Sequence, residues 1–293
     1  MRLLPRFSIL LLGVVWGTSS RATAEISIVD DLNRRVVLSA PAQRIISLAP
    51  SITETLFALG AGDDVIGVTD FCNYPPEAQK KHRVGGITNP SIETIIGLKP
   101  DLIILSMEGN VREDFRKLLD LGVPLFVTNP RTLAGIHKSI DDLGVLTGKS
   151  NNAQRLVRAM TSREDSLRSL PQKHTHVLLI VSLQPLIVLG TKTFLAEMLN
   201  LAGGENIAGD SPSTYPTLSR EVVVEQNPDV IIVTSNILQN VDELLELFPE
   251  WAGLNAIRNH QVYRIDPDIV SRPGPRVVDG LEALYNIIQQ GHE

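Results

Sequence analysis

The side chains able to do chemistry are few and lie far apart. His82, His137, His174, His176 and His260 are scattered along the chain. Only His174 and His176 would share one face of a strand, and two imidazoles without a third donor make a poor zinc site. No metal site is expected. Tyr74 and Tyr215 carry phenols of the kind that can ligate haem iron. Asp266-Pro267-Asp268 reads as a turn rather than a calcium loop. Cys72 is the single cysteine, which excludes an internal disulfide and a Cys-rich metal site, and it reads as a buried or loop thiol. Glu108, Asp268 and Cys72 are what an active site in a cleft would draw on, yet they make no nucleophile–base set. No dinucleotide fingerprint, phosphate loop or nucleophile elbow is present. The pattern points to binding rather than catalysis, with no catalytic residue and no resident cofactor expected.

Two glutamates stand out because the sequence repeats around them. Residues 91–105 and 219–233 align without a gap at an offset of 128, and six of the fifteen positions are identical. Each copy reads as a short helix, a Pro-Asp turn and a buried strand. Ser91 and Ser219 can cap the two helices, and Glu93 and Glu221 fall in their first turns, where a carboxylate meets the positive end of the helix dipole. A fainter echo links Thr53–Gly62 with Phe194–Gly204, each running from a helix into a glycine stop.

The elements that would position these residues alternate between strand and helix. Strands are predicted over 44–48, 65–69, 102–105 and 124–128, then over 177–181, 230–234 and 262–265. Helices are predicted over 51–59, 92–98 and 111–121, then over 194–202, 241–247 and 277–290. Such alternation implies parallel sheets flanked by helices. Asn151–Leu170 contains no proline or glycine, and its apolar residues Leu156, Val157, Met160 and Leu167 recur at near-helical spacing. It reads as one connecting helix of about 20 residues, about 30 Å long. The expected layout is a first lobe over 25–149, a connector over 150–170 and a second lobe over 171–293.

The chain of 293 residues opens on a leader pattern. Arg2 and Arg6 precede an apolar run from Phe7 to Trp16, and Ala22-Thr23-Ala24 follows as a small-residue cleavage site. Residues 1–24 read as a signal peptide cut after Ala24. No cysteine follows that site, so a lipid anchor is not expected, and the mature protein is expected free in the periplasm. With 43% apolar and 20% charged residues the composition is that of a globular protein, and a net charge of −6 argues against nucleic acid as a partner.

Two lobes with parallel sheets leave a cleft beyond the carboxyl ends of their strands. The loops that would face it are 49–51, 71–76 and 106–110 in the first lobe, and 182–185, 215–216 and 268–272 in the second. They are polar and proline-rich with an occasional aromatic, which suits a rigid pocket for a small molecule of mixed polarity.

Several stretches resemble one known family. They are Ile45–Glu54, Asn73–Ala78, Lys99–Ile103, Gly203–Asn206 and Ser271–Arg276. The chain resembles the periplasmic substrate-binding proteins of cobalamin and iron-complex ABC importers, most nearly the vitamin B12-binding branch, over about residues 43 to 288. The resemblance implies a class III α/β fold with two lobes joined by one long helix. It implies a monomer that carries cobalamin, a related corrinoid or another metal chelate such as a ferric siderophore or haem. It also implies that Glu93 and Glu221 pair with arginines of an ABC permease dimer at the inner membrane. The family's aromatic pocket lining falls on Phe71, Ile87, Ser106 and Tyr215, of which two are aromatic. Arg272 falls at a family position near the pocket, and Tyr74 and Asp268 lie in loops that face it.

Overall fold

Runs of Ile, Leu and Val between polar turns become the strands of two sheets, and the segments between them become helices. The structure is a computed structural model that describes residues 25–107, 112–120, 122–211 and 213–290. The leader expected over 1–24, and Glu108, lie outside the described residues.

A hairpin of β1 (Ile26–Val29) and β2 (Arg35–Leu38) comes first. The first lobe follows as β3 (Ile45–Ser47), α1 (Pro50–Ala58), β4 (Val65–Val68), β5 (His82–Arg83), α2 (Ile92–Gly97), β6 (Leu102–Ser106), α3 (Arg112–Leu119), β7 (Leu125–Thr128) and α4 (Leu133–Leu146). After α5 (Ser150–Arg168), the second lobe runs β8 (Thr175–Leu183), β9 (Leu186–Val188), α6 (Phe194–Leu201), β10 (Gly204–Asn206), α7 (Arg220–Gln226) and β11 (Val230–Thr234). It closes with α8 (Val241–Leu247), α9 (Asn255–Arg258), β12 (Val262–Ile265), α10 (Pro267–Val270) and α11 (Val277–Gln290).

The first sheet has the order β5-β4-β3-β6-β7 and is parallel throughout. The second has the order β10-β8-β11-β12, also parallel, with β9 antiparallel on β8. Strands β3, β6 and β11 are buried at every residue, which explains their unbroken apolar runs. Each sheet starts from a middle strand, β3 or β8, and later crosses back to that strand's other side. The loops therefore diverge between β3 and β6 and between β8 and β11, and a crevice opens beyond the carboxyl ends.

The sequence repeat is a structural repeat. The Ser91 hydroxyl accepts from the Thr94 N–H and the Ser219 hydroxyl from the Val222 N–H, each capping its helix. Lys99 and Asn227, at the same repeat position, both adopt the left-handed conformation. The aspartate that follows ties its strand to the neighbouring one. Asp101 accepts from the N–H groups of Gln43 and Arg44 at the start of β3, and Asp229 from that of His176 at the start of β8.

Helix α5 matches the expected connector to within two residues at either end. It packs on α4 and α11, and it buries Ala153, Met160, Glu164 and Leu167. Glu164 meets His137 of α4 at 3.0 Å. Helix α4 was not foreseen from the sequence, because Gly135 and Gly144 interrupt its pattern. Gly144 is a contact point rather than a break: a Cβ there would lie 2.5 Å from the Ala153 Cβ, so its absence lets α4 and α5 meet. The β1–β2 hairpin was also missed. Its turn is held by the buried Asp30 carboxylate, which accepts from the N–H groups of Leu32, Arg34 and Val127.

Of three buried apolar clusters among the described residues, one runs through both lobes. It joins Ile45, Ile104 and Phe126 of the first lobe to Met160 and Leu167 of α5, and to Val177, Ile232 and Leu281 of the second lobe. Shared burial of this kind couples the lobes. The mature protein is expected to melt in a single calorimetric transition. Met160→Ala is expected to lower the stability of that one transition by about 2–5 kcal/mol. Two separately melting units, with only one displaced by Met160→Ala, would contradict the shared core.

Candidate functional site

A cavity of about 280 Å³ lies beyond the carboxyl ends of β3, β4, β5 and β6. Pro50, Ser51, Phe71, Ile87 and Ser106 line it from the first lobe, and Ser271, Arg272 and Pro273 close it from the second. Four residues singled out in the sequence thus meet here: Phe71, Ile87, Ser106 and Arg272. The ring of Phe71 stands out from the surface, 58% exposed, because the next residue turns inward. Cys72 is fully buried, and its Sγ accepts from the Thr53 hydroxyl at 3.1 Å. That contact pins the loop and leaves Phe71 facing out. Tyr74 and Met107, both large and exposed, lie on loops next to those that line the cavity. A cavity of this size takes the edge of a large ligand, with the rest lying out between the lobes.

The floor of the cleft is a charged clamp between the lobes. Glu54 sits on α1 with its side chain 2% exposed. Arg276 donates to both carboxylate oxygens, Nε to Oε2 and Nη2 to Oε1, each at 2.8 Å. Arg272 donates Nη1 to Oε1 at 2.7 Å. The same Nη1 also reaches the Asn73 Oδ1, and the Arg272 Nη2 pairs with Asp268. Asn73 Nδ2 donates to Asp268 Oδ2 at 3.0 Å. The guanidinium of Arg276 also stacks 4.2 Å from the ring centre of Tyr74. Donating to the Glu54 carboxylate raises the pKa of Arg276 further, so the group stays charged.

The clamp explains the close approach of the lobes. A Cβ on Gly274 would lie 3.2 Å from the Ser51 carbonyl oxygen, a tight contact that would push the two backbones apart by a few tenths of an ångström. It also changes how three of the sequence candidates read. Tyr74 and Asp268 stand in the clamp, and Arg272 both faces the cavity and has its terminal nitrogens engaged. Glu54 and Arg276 were not singled out from the sequence. The local signal was a lone carboxylate in the otherwise uncharged helix α1, but its partners lie 218 and 222 residues away.

The remaining candidates lie elsewhere. Tyr215 is 38% exposed on the segment that runs beside β9 and does not line the cavity. The loop 182–185 was expected at the cleft. Instead Leu183, Gln184 and Pro185 border a separate groove of about 500 Å³ with Arg220, Glu221 and Phe248. Glu93 and Glu221 are exposed in the first turns of α2 and α7. The backbone N–H at Glu221, and then the Ser219 hydroxyl, hold the Glu221 carboxyl below the ordinary glutamate range, so it is ionised at neutral pH. His174 and His176 each stand 3.3 Å from the Glu205 carboxylate, exposed at the sheet edge. Among the described residues no group of three or more His, Cys, Asp or Glu is arranged to hold a metal ion. Trp251 is fully buried and stacked on Phe248 in the second lobe, away from the cleft.

Glu54→Gln would leave two guanidinium groups facing a neutral amide in a nearly dry site. It is expected to cost about 3–5 kcal/mol in denaturant unfolding. A variant within 1 kcal/mol of the parent would contradict the clamp's structural role.

Comparison with known proteins follows the same architecture. The sequence profile of the family described as periplasmic binding protein matches residues 45–269. An uncharacterized ABC transporter substrate-binding lipoprotein of Bacillus subtilis, YvrC, is 34% identical over 90% of this chain and 85% of its own length. The crystal structure of the periplasmic vitamin B12-binding protein BtuF of Vibrio cholerae superposes with a TM-score of 0.77 at 31% identity, over 86% of this chain and 99% of that one. The periplasmic heme-binding protein RhuT of Roseiflexus sp. RS-1, in its apo form, gives a TM-score of 0.78 at 29% identity, over 86% of this chain and all of that one.

Proposed function

The chain belongs to the periplasmic binding protein family, and from that premise we propose that it captures a corrinoid, cobalamin or a close relative, and delivers it to an ABC importer. The observation that carries the ligand class is the charge balance of the cleft floor. Arg272 is the one charged side chain lining the cavity among the described residues, and three of its N–H donors meet Glu54, Asn73 and Asp268. Two arginines face two carboxylates, so the floor presents no net charge. Around it stand the hydroxyls of Ser51, Ser106 and Ser271 and the apolar faces of Phe71, Ile87 and Pro273. Such a surface suits a large neutral ligand with amides at its rim. A dicarboxylate such as haem would need cations free to meet it.

In this reading Phe71, Ile87 and Ser106 touch the ligand. Tyr74, Asp268 and Arg272 are positioning residues that hold the floor. Glu93 and Glu221, one on each lobe, dock the loaded protein on a permease dimer, where charge pairs set orientation and encounter rate. The likeness to the B12 carrier BtuF supports this reading. The protein is exported to the periplasm as a monomer, with residues 1–24 removed after Ala24, and it performs no catalysis.

Calorimetric titration of residues 25–293 with cyanocobalamin, and then with cobinamide, tests the ligand. A one-to-one complex with both is expected, and Phe71→Ala is expected to weaken it roughly ten- to a hundredfold through lost aromatic burial. No heat with either corrinoid, together with a shifted haem absorbance band, would overturn the corrinoid reading in favour of a haem carrier of the RhuT kind.

A further inference from the structure

The repeated helices carry more than the two glutamates. Three residues after Glu93, on α2, stands Ile96, 50% exposed. Three residues after Glu221, on α7, stands Val224, 43% exposed. The two aliphatics occupy the same position of the 128-residue repeat, as the glutamates do. Residues three apart on a helix are surface neighbours, their Cβ atoms about 5–6 Å apart. The residues just before them, Ile95 and Val223, are fully buried and anchor each helix to its sheet. Each lobe therefore displays the same pair, an exposed carboxylate beside a half-exposed aliphatic, on a helix fixed by its cap and its buried neighbour.

A single exposed aliphatic needs no explanation. Two of them at one repeat position, each beside the same acid, do. Neither is packed against a buried apolar cluster. What the repetition fits is a partner that repeats in the same way, with a positive charge next to an apolar depression on each of two equivalent subunits.

We propose that Ile96 and Val224 are paired apolar anchors which, with Glu93 and Glu221, seat the protein on the two equivalent halves of a permease homodimer. This rests on the importer reading above and adds a division of labour to it. The glutamates, exposed and long-ranged, bring the partners together and set the encounter rate. The aliphatics, buried only on contact, hold the complex and set its lifetime.

The test uses full-length mature protein, saturated with cyanocobalamin, and a nanodisc-held vitamin B12-type permease dimer from the same cell. Binding kinetics are read at low and high salt. Ile96→Ser combined with Val224→Ser is expected to speed dissociation roughly ten- to a hundredfold. Association rate, salt dependence and cyanocobalamin affinity should stay as in the parent. Each single variant should give about half of that effect on a logarithmic scale. Glu93→Gln with Glu221→Gln should instead slow association and flatten its salt dependence. If the parent binds and the double Ser variant dissociates at the parent's rate, the anchors are overturned while the importer reading stands. An effect confined to one lobe overturns the paired seating. A parent that does not bind the permease at all overturns the importer reading, and the anchors fall with it.

Discussion

A single carboxylate, buried on α1 and shared by two arginines from the other end of the chain, governs the arrangement of this molecule. Glu54 would be costly to bury alone. Arg276 meets it with two parallel hydrogen bonds and Arg272 with a third, and Asp268 and Asn73 balance what Arg272 has left over. The network is satisfied only when the segment 268–276 lies against the start of α1. That seating is possible because Gly274 brings no side chain to the Ser51 carbonyl. The clamp thus fixes the distance between the lobes at the cleft, while α5 and the shared core fix it at the back.

Two consequences follow for function. Among the described residues the cleft floor sets two arginines against two carboxylates, so on the proposed reading ligand choice turns on hydrogen bonding and apolar area. The lobes also share a core, so helices α2 and α7, which carry Glu93 and Glu221, are held at a set separation. A protein that flexed widely at a hinge would present its two glutamates at a variable span. This one presents them at a fixed span, which suits a partner with two equivalent receiving sites. The left-handed turns at Lys99 and Asn227 and the anchoring aspartates Asp101 and Asp229 repeat that rigidity in each lobe.

What could be read from the sequence was whatever burial writes into consecutive residues. The strand Val230–Thr234 was legible to the residue, because a strand covered on both faces must be apolar throughout or nearly so. Helix α5 was legible because nothing breaks its polar, periodic run. Ser91 and Ser219 were legible as caps because capping is local. Helix α4 was hidden by Gly135 and Gly144, whose role is to let two helices touch, and helix contact leaves no mark on neighbouring positions. The cleft was half legible. Phe71, Ile87, Ser106 and Arg272 were gathered by resemblance to known carriers, and the structure does bring them together. The engagement of Arg272 was not legible, since its partners Glu54 and Asn73 are about two hundred residues away in the chain. Tyr215 is not among the residues lining the cavity, and its segment pairs with β9.

On the proposed reading the cleft floor carries no spare positive charge, because Glu54 and Asp268 balance Arg272 and Arg276. Comparing cyanocobalamin with a derivative in which one rim amide is hydrolysed to a carboxylate tests it directly. The two ligands differ by one charge and almost nothing in shape. By calorimetry at matched salt, the neutral amide should bind more tightly than the acid. Tighter binding of the carboxylate would reveal a cation free to receive it and would contradict the account.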